Sequence, residues 1–190
     1  MNKPKLIVMV GIPGSGKSTF AQNYIKDANN ISTVWISRDE VRYSLISGTD
    51  EYFAKEKDVF KLFVKKINTA LAEGKDVIAD ATHINAQSRK KLLSSITIPD
   101  IQIEACVMEA SLQECLANNE KREGRARVPK EAILRMYHQF EYPTFSEGFS
   151  SISTVKYGGY KCQSILVAIL ILVMTENLSS VQEDLKILMK

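Results

Sequence analysis

The stretch GIPGSGKST, residues 11–19, lies between the apolar run LIVMV and a segment with the composition of a helix. Its Gly, Pro, Ser and Lys residues add nothing to an apolar core. They match the spacing G-x-x-x-x-G-K-[ST] at Gly11, Gly16, Lys17 and Ser18. Glycines let several backbone N–H groups surround a polyphosphate without interference from Cβ atoms, and the N-terminus of a following helix adds partial positive charge. The stretch therefore predicts a phosphate-binding loop of a nucleotide site.

Lys17 in this loop is expected to reach the β- and γ-phosphates, and the hydroxyl of Ser18 is expected to bind Mg²⁺. Asp80 ends the apolar segment VIAD and is the candidate for the second metal ligand. We therefore predict ATP and Mg²⁺ as cofactors. The nucleotide-binding residues predicted from the loop are Gly11, Pro13, Gly14, Ser15, Gly16, Lys17, Ser18 and Thr19.

The composition is that of a globular protein of one domain, with 190 residues, 45% apolar residues and a formal net charge of +3. Three cysteines without a C-x-x-C pair and two histidines disfavour a disulfide framework and a zinc site. The N-terminal MNKPKLIVMV has a basic start, but its apolar run is too short for a signal peptide and no cleavage pattern follows. We therefore expect a cytoplasmic protein without membrane attachment.

Apolar runs of strand length alternate along the chain with segments of helical periodicity. Strands are predicted at 5–10, 32–37, 76–80, 101–108 and 151–157, and helices at 17–27, 39–46, 60–71, 86–96, 111–123 and 130–140. Gly74 is a helix stop, and Asn85 is placed to cap the next helix. This alternation predicts an α/β fold with a parallel sheet between helices, which binds ligands beyond the carboxyl ends of its strands.

ISRDEVRYSL, residues 36–45, is the second informative stretch. Asp39 and Arg42 share one face of a helix that begins at the carboxyl end of the second strand. A carboxylate there can accept the proton of an attacking hydroxyl, and an arginine one turn later can hold a phosphate. The alternative is that Asp39 caps the helix and forms a solvated ion pair with Arg42.

The third stretch, NNEKREGRARVPKEAILR at residues 118–135, contains six basic and three acidic residues. Arginines between two helices, with a glycine in the loop, are typical of a mobile lid over a transferring phosphoryl group. A solvated basic loop is the alternative. No N-K-x-D signature of GTPases is found here, since residues 118–121 are NNEK.

With these features the sequence resembles the kinase domain of the polynucleotide kinase family. The members of this family are P-loop phosphotransferases of the AAA type. The matching motifs are GIPGSGKST, RDEVR, VIADATHIN followed by Arg89, and KREGRARVP. The resemblance implies a P-loop NTPase fold with a five-stranded parallel sheet flanked by helices and an arginine-rich lid. It also implies transfer of the γ-phosphate of ATP to the 5′-hydroxyl of DNA or RNA.

The resemblance also implies roles for individual residues. Asp39 matches the general base, and Lys17 and Arg122 complete the catalytic set. Arg122 and Arg125 match lid residues that hold the ATP phosphates. The acceptor-binding residues implied are Arg38, Arg42, Thr82 and Asn85. Two positions depart from the family pattern, because His83 stands where relatives often have Asn and Asn118 where some have Arg.

Two other functions remain open from the sequence. Kinases of nucleosides, sugars or antibiotics resemble this family in the phosphate loop and the D-x-x-R spacing, so the acceptor could be a small molecule. A nucleotide-binding regulatory module, in which ATP only sets a conformation, is the alternative of another class.

The C-terminal residues 159–190 have no counterpart in the family and are expected to extend the kinase domain of residues 1–158. ILVAILILVM, residues 165–174, is about half the length needed to span a bilayer. We interpret it as a buried strand or an interface element, followed by a helix that begins near Asn177. These residues would form either a homodimer surface or an added strand and helix.

Overall fold

The computed structural model describes residues 3–27, 32–47, 50–156 and 158, and the backbone of 163–164. Its sheet contains the strands β1 (Lys5–Val10), β2 (Thr33–Ser37), β3 (Asp76–Asp80), β4 (Gln102–Glu109), β5 (Ser151–Lys156) and β6 (Gln163–Ser164). The strand order is β2-β3-β1-β4-β5-β6. The first five strands are parallel, as the sequence predicts, and the two-residue β6 is antiparallel to β5.

Every helix predicted within the described residues is present. The helices are α1 (Lys17–Asp27), α2 (Arg38–Leu45), α3 (Glu56–Ala72), α4 (Ala86–Leu93), α5 (Leu112–Glu120) and α6 (Lys130–His138). α3 begins four residues before the first residue of its apolar stripe, Phe60. α5 is shorter than predicted, and a 3-10 turn at Gly124–Ala126 separates it from α6.

The core lies on both faces of the sheet because successive strand side chains point to opposite sides. Leu6 and Val8 of β1 pack with Phe63 of α3 on one face. Ile7 and Met9 pack with Phe20 of α1 on the other. A strand covered on both faces is apolar throughout, and for this reason KLIVMV is a continuous apolar run rather than an alternating one.

The sheet topology brings the sequence motifs to one edge. β1, β2 and β3 are adjacent and parallel, so the segments that follow their carboxyl ends emerge side by side. Ser37 at the end of β2 pairs with Asp80 at the end of β3. The phosphate loop follows β1, on the other side of β3 from β2, as expected for ligand binding beyond strand ends.

The expectations for the C-terminus concern residues that are outside the described part of the chain. These are the strand at 165–174, the helix beginning near Asn177 and the homodimer surface. Within the described ranges, none of the helices combines the length and apolar character required to cross a membrane.

Candidate functional site

The loop after β1 has the tight backbone path that its glycines allow. Gly14 and Gly16 have φ angles of +85° and +92°, a region in which side chains with a Cβ are strained. The N–H of Gly11 donates to the carbonyl of Thr82 over 2.9 Å. The phosphate loop is therefore fixed to the turn that follows β3.

The loop also packs against the backbone of α5. The side-chain amide of Asn118 donates to the carbonyl of Gly14 over 2.9 Å. A Cβ placed on Gly14 would lie 2.2 Å from the carbonyl oxygen of Cys115. Asn118, which departs from the family pattern, thus joins α5 to the phosphate loop.

Replacement of Gly14 by alanine is expected to destabilise the protein, because the new methyl group cannot coexist with the backbone of α5. Gly74→Ala is the matched control, since Gly74 has a φ of +75° and a methyl group added there would meet no atom within 4 Å. We expect Gly14→Ala to lower the free energy of unfolding by about 1–3 kcal/mol more than Gly74→Ala does. Urea denaturation of both variants measures this difference. Equal losses would contradict the close packing.

Lys17 is buried at the start of α1, with 8% of its surface exposed. Its Nζ donates to the carbonyl of Ile12 over 2.9 Å and to the hydroxyl of Ser15 over 3.4 Å. Burial lowers the pKa of Lys17, the charge of Asp80 opposes this effect and the charge of Arg122 adds to it. The side chain is thus held inside the loop, within the electrostatic reach of residues from β3 and from the loop after α5.

Ser18 and Asp80, the two residues predicted to bind the metal, are in contact. The hydroxyl of Ser18 donates to Asp80 Oδ2 over 2.6 Å, and the indole Nε1 of Trp35 donates to the same oxygen over 3.1 Å. A hydroxyl and a carboxylate oxygen are the hard ligands that Mg²⁺ prefers, and this ion commonly completes its shell with water and substrate phosphates. The pair fits Mg²⁺, although the described ranges hold no group of three or more His, Cys, Asp and Glu side chains suited to a metal.

Asp39 lies in the first turn of α2, but it does not cap the helix. The N-cap is Ser37, whose hydroxyl accepts the N–H of Glu40 over 3.3 Å. The capping alternative for Asp39 is therefore wrong, whereas the expected ion pair with Arg42 is present. The Asp39 side chain is 62% exposed, so a ligand can reach it from its outer side.

The ion pair of Arg42 with Asp39 is not solvated on the arginine side, because Arg42 is buried. Its guanidinium is enclosed by three partners. It donates to Asp39, to Glu56 Oε2 over 2.8 Å and to the hydroxyl of Tyr52 over 3.1 Å. Arg38 donates to the other oxygen of Glu56. Glu56, at the first turn of α3, thus holds both arginines that flank Asp39.

The two predicted lid arginines contact different parts of the molecule. Arg122 is partly buried, and its Nη1 lies 3.5 Å from the carbonyl oxygen of Ala126. Arg125 donates to the carbonyls of Ser47 and Asp50, each over 2.9 Å. Arg125 therefore contacts the segment between α2 and α3.

The turn after β3 is built on internal hydrogen bonds. Asn85 caps α4, as predicted, by accepting the N–H of Ser88 over 2.9 Å. His83 is buried, and its Nδ1 donates to the carbonyl of Met9 over 3.0 Å. Burial lowers the pKa of His83 to about 4, so the ring is neutral at pH 7. His83 is therefore a satisfied polar residue of the core.

A family model described as an AAA domain, AAA_33, matches residues 6–143. The chain belongs to this AAA domain family. The match begins in β1 and ends after α6, and it includes all the residues predicted for the site. The expected membership of an AAA-type P-loop family is confirmed by this match, and the similar proteins below include polynucleotide kinases.

The AAA domain is 27% identical over 149 residues to a "putative bifunctional polynucleotide kinase/RNA ligase" of Autographa californica nuclear polyhedrosis virus, covering 72% of the chain and 21% of the relative. It is 28% identical over 140 residues to "L-seryl-tRNA(Sec) kinase" of Methanococcus maripaludis, covering 73% and 53%. Its structure resembles a chain in the "Pnkp1/Rnl/Hen1 RNA repair complex", with a TM-score of 0.64, 29% identity and coverage of 73% and 44%. The chain thus spans between about a fifth and about half the length of these relatives.

Sequence reasoning missed three residues that shape the site of this AAA domain. Trp35 shares Asp80 with Ser18, while Tyr52 and Glu56 hold the Asp39–Arg42 pair. Of the three, only Trp35 could have been found from the sequence. It lies in a predicted buried strand, and a buried indole N–H requires a hydrogen-bond acceptor. Tyr52 and Glu56 stand 10 and 14 residues from Arg42, beyond the reach of helical spacing rules.

Proposed function

We propose that the protein is an ATP-dependent kinase that transfers the γ-phosphate to the 5′-hydroxyl end of DNA or RNA. The observation that carries this proposal is the exposed Asp39 carboxylate, which follows the strand next to Asp80 and whose charge acts on the buried lysine of the phosphate loop. Asp39 lies in the first turn of α2, two residues after the Ser37–Asp80 strand pair, and its charge acts on Lys17. An acceptor hydroxyl at Asp39 would therefore face a phosphate held at Lys17.

On the donor side, the backbone N–H groups of residues 14–18 and the Nζ of Lys17 would bind the β- and γ-phosphates. Lys17 would exchange its bond to the carbonyl of Ile12 for phosphate oxygens. Mg²⁺ would be held by Ser18 and Asp80, and when bound it neutralises charge on the phosphates. Arg122 would add positive charge at the γ-phosphate, in agreement with its effect on Lys17.

On the acceptor side, Asp39 would accept the proton of the 5′-hydroxyl as its oxygen attacks the γ-phosphorus. The bond from the γ-phosphorus to the β–γ bridging oxygen breaks, and ADP leaves. Arg42 would exchange its bond to Asp39 for an oxygen of the flanking phosphodiester while Glu56 continues to hold it. This exchange would free the carboxylate at the moment when the acceptor arrives.

The other predicted acceptor contacts keep narrower roles in this proposal. Arg38, held by Glu56, would add a second cation beside Asp39. Thr82 is joined to the phosphate loop through its carbonyl, and its hydroxyl would donate to the acceptor. The oxygen of Asn85 is occupied by the cap of α4, which leaves its amide N–H groups for an acceptor.

A nucleic acid acceptor is supported by a row of lysines along α3. Lys57, Lys61 and Lys65 are exposed and recur every fourth residue, so they share one face of the helix. α3 begins at Glu56, which accepts a hydrogen bond from Arg42, and Arg42 in turn contacts Asp39. A phosphodiester chain that leaves the site along this face would meet successive positive charges. The names of the relatives also refer to polynucleotide and tRNA kinases.

The test is transfer of labelled γ-phosphate from ATP to 5′-hydroxyl DNA, 5′-hydroxyl RNA, nucleosides, gluconate and aminoglycosides, with Lys17→Ala as the blank. We expect label on the oligonucleotide ends, with an affinity for them that falls steeply with salt concentration. If only a small molecule is labelled, the proposed nucleic acid acceptor is wrong and the proposed transfer mechanism stands. Label on no acceptor, with ATP bound, would favour the regulatory module.

A further inference from the structure

We propose that Phe53, together with Tyr52 and Tyr43, forms a stacking surface for the base of the 5′-terminal nucleotide. This inference rests on the proposed function and specifies how the acceptor is recognised. Stacking on an aromatic ring is tolerant of base identity because every base has a π-face. The site would therefore favour a 5′-terminal nucleotide that carries a base, and it would not distinguish one base from another.

The three rings of this aromatic surface form one group, in which Phe53 and Tyr43 are exposed and Tyr52 is partly buried. Phe53 is 65% exposed and Tyr43 is 43% exposed. Tyr52 lies between them, with ring centroids 4.8 Å from Phe53 and 6.3 Å from Tyr43, both edge-to-face. Single exposed aromatic residues are ordinary, but two exposed rings joined through a third form a continuous apolar surface.

The aromatic surface adjoins the proposed reacting centre. The hydroxyl of Tyr52 donates to Asp39 Oδ1 over 3.0 Å. Burial and the nearby Asp39 raise the pKa of Tyr52, so this hydroxyl remains a donor. A nucleotide whose 5′-hydroxyl reaches Asp39 carries its base one ribose away, and Tyr52 connects Asp39 to the aromatic surface.

The segment that carries the aromatic surface is held in place on both sides. Arg42 lies 4.6 Å from the Tyr52 ring centroid and 5.4 Å from that of Phe53. Lys55 Nζ donates to the carbonyl of Leu45 over 2.7 Å, and Arg125 fixes the carbonyls of Ser47 and Asp50. The rings are thus exposed to a ligand and ordered before it binds, which lowers the entropic cost of stacking.

The experiment compares two 5′-hydroxyl oligonucleotides that differ only at the first residue, one bearing a base and the other abasic. We expect the wild-type protein to have a KM about tenfold or more lower for the end that bears a base. Phe53→Ala should bring the two KM values together by raising the KM for the end that bears a base. Phe53→Trp should retain the preference. Phe145→Ala is the matched control, because Phe145 is 45% exposed and lies between α6 and β5.

The outcomes separate this inference from the proposed function. Transfer to both ends with equal KM values in the wild-type protein would overturn the stacking surface and leave the kinase proposal intact. An unchanged preference in Phe53→Ala would do the same. Absence of transfer to either end would overturn both proposals.

Discussion

Replacement of Asp39 by alanine is expected to lower the rate of phosphate transfer at least about 100-fold and to leave the affinity for ATP almost unchanged. The reason is that a positioned general base contributes about 10²–10⁴ to such a rate, whereas Asp39 acts on the proposed phosphate site only through its charge. The fold should tolerate the change, because the side chain is exposed and Arg42 keeps Glu56 and Tyr52 as partners. Single-turnover transfer and calorimetric titration with ATP measure the two effects.

Two further variants isolate the proton transfer of Asp39. Asp39→Asn keeps an oxygen for Arg42 and Tyr52 but cannot accept a proton at neutral pH, so we expect it to be as inactive as the alanine variant. Glu40→Ala removes a neighbouring exposed carboxylate of the same helix turn and should retain full activity. Loss of ATP affinity in Asp39→Ala would contradict the role of general base, as would substantial activity in Asp39→Asn.

Replacement of Arg89 by methionine is expected to cause the largest loss of stability among single substitutions at the site. The guanidinium is completely buried and makes two hydrogen bonds to Glu147, of 2.7 and 2.9 Å. It also donates to the carbonyls of His83 and Glu141, over 3.1 and 2.8 Å. Burial alone would raise the pKa of Glu147, but the bonds from Arg89 and Thr144 outweigh burial and lower this pKa, so the carboxylate is charged at pH 7.

Removal of one partner from a buried ion pair costs about 3–5 kcal/mol, because the other charge is left without compensation. For a chain of this length each kcal/mol lowers Tm by about 2–4 °C. Lys90→Met is the matched control, since Lys90 is the exposed neighbour of Arg89 in α4 and should change stability little. A Tm of Arg89→Met close to that of Lys90→Met would refute the structural role of this arginine.

The local structure of this chain could be predicted from its sequence because neighbouring residues decide it. β1 is recognisable as a continuous apolar run, and Asn85 as a cap directly before an amphipathic segment. The meeting of Ser18 with Asp80 followed from one general rule, that parallel strands end at a common edge.

The sequence predicted two kinds of feature wrongly or not at all. These are the contacts between distant segments and the exact start of a helix. The cap of α2 is Ser37 rather than Asp39, because the helix begins at Arg38, two residues before the start that a cap at Asp39 would give. Arg125 contacts residues 75 and 78 positions away in the chain, in a segment that carries no motif. The role of Arg89 in stability depends on Glu147, which is 58 residues distant and which no spacing in the sequence connects to it.

The sequence by itself thus determined the α/β architecture, the phosphate loop and the identity of the charged residues near it. Periodicity, glycine conformation and hydrogen-bonding capacity are properties of short segments, and they can be read without knowledge of the fold. Only the tertiary structure decided the partners of each charge: Asp39 is exposed, Arg42 is enclosed by Glu56 and Tyr52, and Arg125 contacts the segment between α2 and α3. The physical reason is that burial and Coulomb interactions depend on distance in space, which sequence separation does not specify.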